Sequence, residues 1–345
     1  MKVKLADVCT CESSNLKQSD VINISGKYPV YGATGKIGYI DTYKQEKPYI
    51  AIVKDGAGIG RTHLCDSKSS VIGTLQYILP KDNVLPEYLF YVIKHMHLEK
   101  YYSGATIPHI YFKNYKNEEF NLDSINKQET IINILNDCNK LINLKETQLK
   151  KYDDLIKARF IEMFGNLPED FKHDAVELGS IADVISGGTP SSKHPEYYGD
   201  KYPFVTTPCL GSNYISENDA VNWLSDLGVE KSSTHIIPAY SVMYGSRVGV
   251  GKSSINTCEM CTNQDILSFY NIDTSTYDLL FIKKVMDQYF EYIDMQKRGS
   301  TIKGVPSDVV KAIRIPLVPI EEQKLFAAFA EQSDKSKYDD MYIRY

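Results

Sequence analysis

No stretch of this 345-residue chain approaches the roughly 20 consecutive apolar residues that cross a bilayer as a helix. The opening residues, Met1 to Ser14, turn polar before a secretory signal could form. Seven cysteines, at Cys9, Cys11, Cys65, Cys138, Cys209, Cys258 and Cys261, are odd in number and scattered, unlike a secreted disulfide framework. Basic residues are not in excess: 39 Lys and Arg against 44 Asp and Glu leave a net charge of −5, which argues against a simple DNA-coating protein. A cytoplasmic protein with reduced thiols and no membrane contact is expected. Any affinity for nucleic acid must come from local patches or from partner subunits.

With 43% hydrophobic and 24% charged residues, the composition is that of an ordinary globular protein. The length favours two domains of roughly 150 residues over a single core. An internal repeat gives these domains their plan. Ser103-Gly104-Ala105-Thr106-Ile107 and Ile125-Asn126-Lys127-Gln128-Glu129 return as Arg298-Gly299-Ser300-Thr301-Ile302 and Ile320-Glu321-Glu322-Gln323-Lys324, both at an offset of 195. Lys54 to Arg61 parallels Tyr244 to Lys252, with Gly60 and Gly251 offset by 191. The starts agree too, Val3-Lys4-Leu5 with Val176-Glu177-Leu178 and Tyr28-Pro29-Val30 with Tyr202-Pro203-Phe204.

Strand-like runs are expected at Pro48 to Val53, Leu75 to Leu79, Ile236 to Met243 and Ile266 to Tyr270. Helices are expected at Pro86 to Lys100 and Tyr277 to Tyr292. Each copy is therefore read as a mixed α+β globule. Between the copies, Asn126 to Phe164 holds no Gly or Pro and carries a heptad column of Leu135, Ile142, Leu149, Ile156 and Met163. Roughly 39 helical residues would make a rod of about 58 Å. The companion column, Cys138, Lys145, Tyr152 and Arg159, is mixed, so the seam is an imperfect coiled coil. The repeat helix from Ile320, with Leu325, Phe326, Phe329 and Ala330, supplies a partner in the same chain. The expected division is a first globule at 1–124, a central helix at 125–165, a second globule at 166–319 and a distal helix at 320–345.

Leu155-Ile156-Lys157-Ala158-Arg159-Phe160-Ile161-Glu162-Met163-Phe164-Gly165, then Val176-Glu177-Leu178-Gly179 and Ile185-Ser186-Gly187-Gly188-Thr189-Pro190, resembles a family junction. The family is that of the specificity subunits of Type I restriction-modification systems, and the resemblance spans essentially the whole chain. Gly299-Ser300-Thr301-Ile302 before Ile315-Pro316-Leu317 is similar to the close of a target-recognition domain in that family. The resemblance implies two tandem target-recognition domains separated by long antiparallel coiled-coil spacer helices with a pseudo-twofold. It further implies that each domain reads one half of an interrupted double-stranded DNA target. Methyltransferase subunits would dock on the helices and restriction-translocase subunits would join through the complex. Those partners, by resemblance, use S-adenosylmethionine, ATP and magnesium, whereas this chain is expected to hold no cofactor, no metal and no catalytic site. The chain has no Pro-Pro, and so lacks the loop by which such methyltransferases grip an extruded base. One departure is that Gln323 to Tyr338 is nine residues shorter than Gln128 to Tyr152, so a shorter distal helix is expected. The alternative is a truncated or rearranged subunit that binds methyltransferase as a scaffold.

For the glycine-rich segments two readings stand: turns that need a permissive backbone, or backbone amides that approach DNA phosphates together with Arg61 and Lys252. Val250-Gly251-Lys252-Ser253 fails as a nucleotide phosphate loop, because Ser246 stands where that motif needs glycine. Thr106 and Thr301 are read as helix N-caps, as DNA contacts, or as both. His109, Lys113 and Lys116 flank the first, and Arg298 and Lys303 the second. Lys36 in the loop from Tyr31, Thr207 and Asn213 in the loop from Thr206, and Arg247 complete the candidate DNA contacts. Cys258 and Cys261 lack a second pair at finger spacing, and Asp170-Phe171-Lys172 lacks the upstream acid of a nuclease. Replacement of Leu149 by Asp should damage the spacer and partner docking while the globules stay folded. A normal complex on gel filtration would contradict this placement.

Overall fold

The computed structural model describes residues 1–21, 25–104, 107–299 and 304–342, with side chains to 336. Its contacts divide the chain into two units, Met1–Leu144 and Lys145–Tyr345. In the first unit the elements run β1 (Lys2–Lys4), α1 (Leu5–Val8), β2 (Cys9–Ser13), β3 (Tyr28–Gly32), β4 (Gly35–Ile40), β5 (Tyr49–Val53), β6 (Thr62–Cys65) and β7 (Ser70–Val71). They continue with β8 (Leu75–Pro80), α2 (Pro86–His95), α3 (Phe112–Tyr115) and β9 (Glu119–Asn121), and lead into α4 (Ile125–Phe164).

Strands β2, β8, β5 and β6 form a sheet in that order, and β4, β3 and β7 a smaller one. All five residues of β5 are buried, and its period-two alternation feeds two cores. Ile50 and Ile52 join Tyr88, Leu89 and Ile93 of α2, while Tyr49, Ala51 and Val53 join Val30 and Tyr31 of β3. The sheet is thus covered on one face by a helix and on the other by the small sheet.

The second unit repeats this plan with β10 (Ala175–Glu177), α5 (Leu178–Ile181), β11 (Asp183–Ser186), β12 (Tyr198–Val205), β13 (Tyr214–Ile215), β14 (Asn222–Leu224), α6 (Asp226–Glu230) and β15 (Ile236–Ile237). After these come β16 (Val242–Gly245), β17 (Ser253–Asn256), β18 (Met260–Thr262), β19 (Ile266–Tyr270), α7 (Leu279–Gln288), α8 (Phe290–Met295), α9 (Ser307–Lys311), β20 (Arg314–Pro316) and α10 (Ile320–Tyr342). The main sheet, β11-β19-β16-β17-β13, matches β2-β8-β5-β6 strand for strand and adds β13 at its edge. Register repeats as well: Ile50 faces Ile78 as Val242 faces Phe269, and β1 pairs β9 as β10 pairs β20.

Three sequence expectations need correction. The run from Ile236 to Met243 is two strands in different sheets, because Pro238 and the left-handed Tyr240 (φ 63°) turn the chain between them. Helix α2 stops at His95, since His97 is left-handed (φ 51°), and the Tyr277 to Tyr292 helix breaks between α7 and α8 at Tyr289.

Helix α4 is one continuous element of 40 residues, and α10 has 23. The heptad stripe of α4 is buried at Ile156, half-buried at Leu135, Leu149 and Met163, and 48% exposed at Ile142. In the second unit the end of α4 is sealed by four rings with no exposure, Phe160, Phe164, Phe281 and Phe326, whose centroids lie 4.9 to 6.4 Å apart. Edge-to-face packing of this kind adds to the area term. Burial also makes the core thiols inert, since it pushes Cys9 and Cys65 up to about 12. Phe326→Ala should destabilise the second unit by about 3–5 kcal/mol, read from its denaturation midpoint. A loss under about 1 kcal/mol would show that the rings do not hold α4 to α10.

Candidate nucleic-acid interface

In each unit a glycine-rich hairpin and a returning segment are bonded into one edge. The first hairpin joins β5 to β6 and closes by Val53 N–H to the Arg61 carbonyl (2.9 Å) and Gly60 N–H to the Val53 carbonyl (2.9 Å). The second joins β16 to β17 and closes by the equivalent bonds, Gly245 N–H to Lys252 (2.8 Å) and Gly251 N–H to Gly245 (3.1 Å). Gly60 and Gly251 are left-handed (φ 80° and 91°), and a Cβ on Gly251 would lie 2.3 Å from the Phe290 ring. Glycine is needed there for backbone geometry. A turn between antiparallel strands also lacks the strand-to-helix context of a nucleotide phosphate loop.

The returning segment is pinched off in the same way in both units. Ser103 and His109 exchange two backbone bonds of 2.8 Å, and Arg298 and Gly304 exchange bonds of 2.8 and 2.9 Å. The next residue then ties to the hairpin, Ile110 N–H to the Lys54 carbonyl (2.9 Å) and Val305 N–H to the Ser246 carbonyl (2.7 Å). Each pinch therefore closes off a span of five residues, 104–108 and 299–303, here called the finger, and the base of that span is bonded to its hairpin. Thr106, Thr301 and Lys303, expected on these fingers, lie outside the described residues.

In the first unit Arg61 Nη1 donates to the Ala33 carbonyl (3.1 Å) and His63 Nε2 lies 3.2 Å from the same oxygen, which draws the Tyr31 to Lys36 loop to the hairpin. The Lys36 ammonium stands over the Tyr31 and Tyr39 rings and 3.6 Å from Asp66. At the finger base His109 Nδ1 is 2.6 Å from Asp55, which also pairs with Lys54 at 3.2 Å, and the His109 ring stacks on Tyr111, under Lys113. Lys116 is exposed one turn on, at the end of α3. In the second unit Arg247 is largely exposed, with Asp265 at 4.0 Å, and Lys252 and Arg298 are exposed. Among the described residues Arg61, Lys113, Lys252 and Arg298 have no carboxylate partner in an ion pair, which leaves their charge available to a phosphate.

Two expected DNA contacts are engaged with other parts of the chain. Thr207 is 2% exposed, with its side chain under Gly249, so its hydroxyl is not available to a base. Asn213 Nδ2 donates to Asp334 of α10 (2.8 Å). Lys54, Asp55, His63 and Tyr111 join the edge as well; Lys54 and Asp55 open the repeated glycine-rich segment, but none of the four was marked as a contact in the sequence. Only the pairing of hairpin and finger could have marked them.

No group of three or more His, Cys, Asp or Glu among the described residues could hold a metal, and Cys261 is buried beside Phe204 and Leu224. No described helix is long and apolar enough to cross a membrane. The family profile for the Type I restriction modification DNA specificity domain matches residues 1–151 and 168–339. The chain belongs to this family. This specificity-domain chain is 27% identical over 193 residues to the Type I restriction enzyme MjaIX specificity subunit of Methanocaldococcus jannaschii, covering 55% of the chain and 41% of the relative. It therefore spans less than half of that relative's length. Against the putative type I restriction enzyme MjaX specificity subunit of the same organism it is 23% identical over 328 residues, covering 85% of the chain and 75% of the relative. The crystal structure of the Type-I restriction-modification system S subunit from M. genitalium shares the fold at a TM-score of 0.60 and 15% identity, over 99% of this chain and 91% of that one.

Arg61→Ala or Lys252→Ala should weaken DNA binding across sequences and reduce the slope of log K against log salt by roughly 1 if each touches one phosphate. A salt titration with unchanged slope would remove that residue from the interface.

Proposed function

We propose that the chain is the DNA-reading subunit of a Type I restriction-modification assembly and carries no catalytic site itself. Each lobe reads one half of an interrupted target through its hairpin and finger. The observation that carries this reading is the twinned edge. One backbone scaffold recurs in both lobes, but the side chains on it differ, with Asp55 and His109 in one and Arg247 and Gly304 in the other. Equal scaffolds with unequal side chains suit two half-sites of unequal sequence. The exposed cations at the edges supply phosphate contacts that the net charge of −5 does not promise.

The helices α4 and α10 act as spacers and dock methyltransferase subunits, through which restriction-translocase subunits join. Support comes from Ile134, Leu141, Ile142 and Leu144 of α4, which are 48% to 62% exposed, and from Leu325 of α10 at 60%. Ile134 and Leu141 lie seven residues apart on one face, flanked by Ile142 and Leu144, and exposed apolar side chains clustered in this way favour a partner's surface over water. Phe329 packs inward against the aromatic core of the second unit and anchors α10 on that side.

Co-expression with the cognate methyltransferase, followed by methylation sequencing of the host genome, should reveal one new two-part motif with a fixed gap. Copurification of methyltransferase without any new motif would contradict DNA reading and leave the scaffold.

A further inference from the structure

Two buried glutamines occupy equivalent places, 195 residues apart, in the first turn of α4 and of α10. Gln128, with no exposure, accepts Leu85 N–H at Oε1 (2.8 Å) and donates from Nε2 to the Asn83 and Asp123 carbonyls (3.1 and 2.9 Å). Gln323, 1% exposed, accepts Asp278 N–H (2.9 Å) and donates to the Thr276 and Val318 carbonyls (3.0 and 2.9 Å). Each amide thus pins three segments together: the start of the helix, the turn before it, and the N-cap of α2 or α7. One acceptor and two donors are required, a set that a carboxylate cannot supply.

A second tie follows eleven residues later in each helix, about three turns at 3.6 residues per turn and hence on the same face. Asn139 Nδ2 donates to Tyr91 Oη (2.8 Å), which in turn donates to Asn136 (3.0 Å). Asp334 accepts from Lys284 Nζ and Asn213 Nδ2, both at 2.8 Å. Tyr91 and Lys284 hold the same position on α2 and α7. The first outer tie is neutral and exposed, whereas the second is a charged pair with side chains only 10% and 16% exposed. Between the ties Ile132 of α4 and Phe326, Ala327 and Ala330 of α10 pack into the cores, and two directional ties three turns apart add to that apolar contact to fix the helix's direction relative to its own lobe.

We propose that these two-point clamps are positioning devices that determine which gap between half-sites the protein accepts. The inference rests on the DNA-reading function proposed above. A gap changed by one base pair moves a half-site by about 3.4 Å and rotates it by about 35°. A helix held in one direction rejects such a shift, and a loosened one accepts it.

The test uses the full chain in complex with its methyltransferase on a library of the target with the natural gap and gaps one base pair longer or shorter. The wild-type complex should prefer its natural gap by roughly tenfold or more, in line with the cost of misplacing a reacting group by an ångström or more. Gln128→Met and Asp334→Asn should reduce that preference to about threefold or less through gains on the neighbouring gaps, with half-site sequence preference kept. Tyr91→Phe removes only an exposed hydroxyl, and it decides the question if the buried variants do not fold. Variants that form the complex and retain the wild-type gap ratio overturn the inference alone. A wild-type complex with no gap preference overturns the proposed function and the inference with it.

Discussion

Much of the structure depends on one backbone bond made twice, Ile110 N–H to the Lys54 carbonyl and Val305 N–H to the Ser246 carbonyl. Each brings a segment from late in its lobe's sequence back to a hairpin of the main sheet. Without it the finger and the hairpin would be two solvated loops, each free to sample many conformations. With it the base of the finger and the hairpin are bonded into one edge. The surrounding features serve this closure. The main sheet of each lobe positions the hairpin, and left-handed glycines let it turn against Glu99 or Phe290. Buried Ile110 and Val305 bury the returning segment in the core.

Duplication gives that edge a second life. The two lobes share strand order, register and hydrogen-bond pattern, but the sequence on the edge has diverged. Backbone bonds ignore side-chain identity, so a scaffold closed by main-chain amides tolerates changes at the positions that face a ligand. An acidic chain can bind a polyanion on these terms, because the charge that matters is local.

The repeat and the long helix were legible in the sequence because both rest on regular spacing, a constant offset and a period of seven. The strands Tyr49–Val53 and Ile266–Tyr270 were legible because β-branched runs between turn residues have few other solutions. The break at Pro238 to Tyr240 had a local signal in the proline, which a strand run does not tolerate, whereas the left-handed turns at Tyr240 and His97 that complete the break and stop α2 are fixed by tertiary packing. Asn213 and Thr207 read as loop residues and are instead held by Asp334 and buried beneath Gly249, partners distant in sequence. Arg61 was singled out by its position after glycine, but its tie to Ala33 needed the folded chain. Gln128 and Gln323 appeared only as markers of the repeat, since nothing local shows that an amide on a polar helix start is fully buried.

The central claim, that both lobes present the hairpin and finger to DNA, is most directly tested by photo-crosslinking. The chain with its methyltransferase would be bound to target DNA substituted with 5-bromodeoxyuridine and the linked peptides identified by mass spectrometry. The account predicts crosslinks within 54–63 and 103–113 in the first lobe and within 245–252 and 298–304 in the second. Crosslinks confined to one lobe, or concentrated around Asn213 and away from both hairpins, would contradict it.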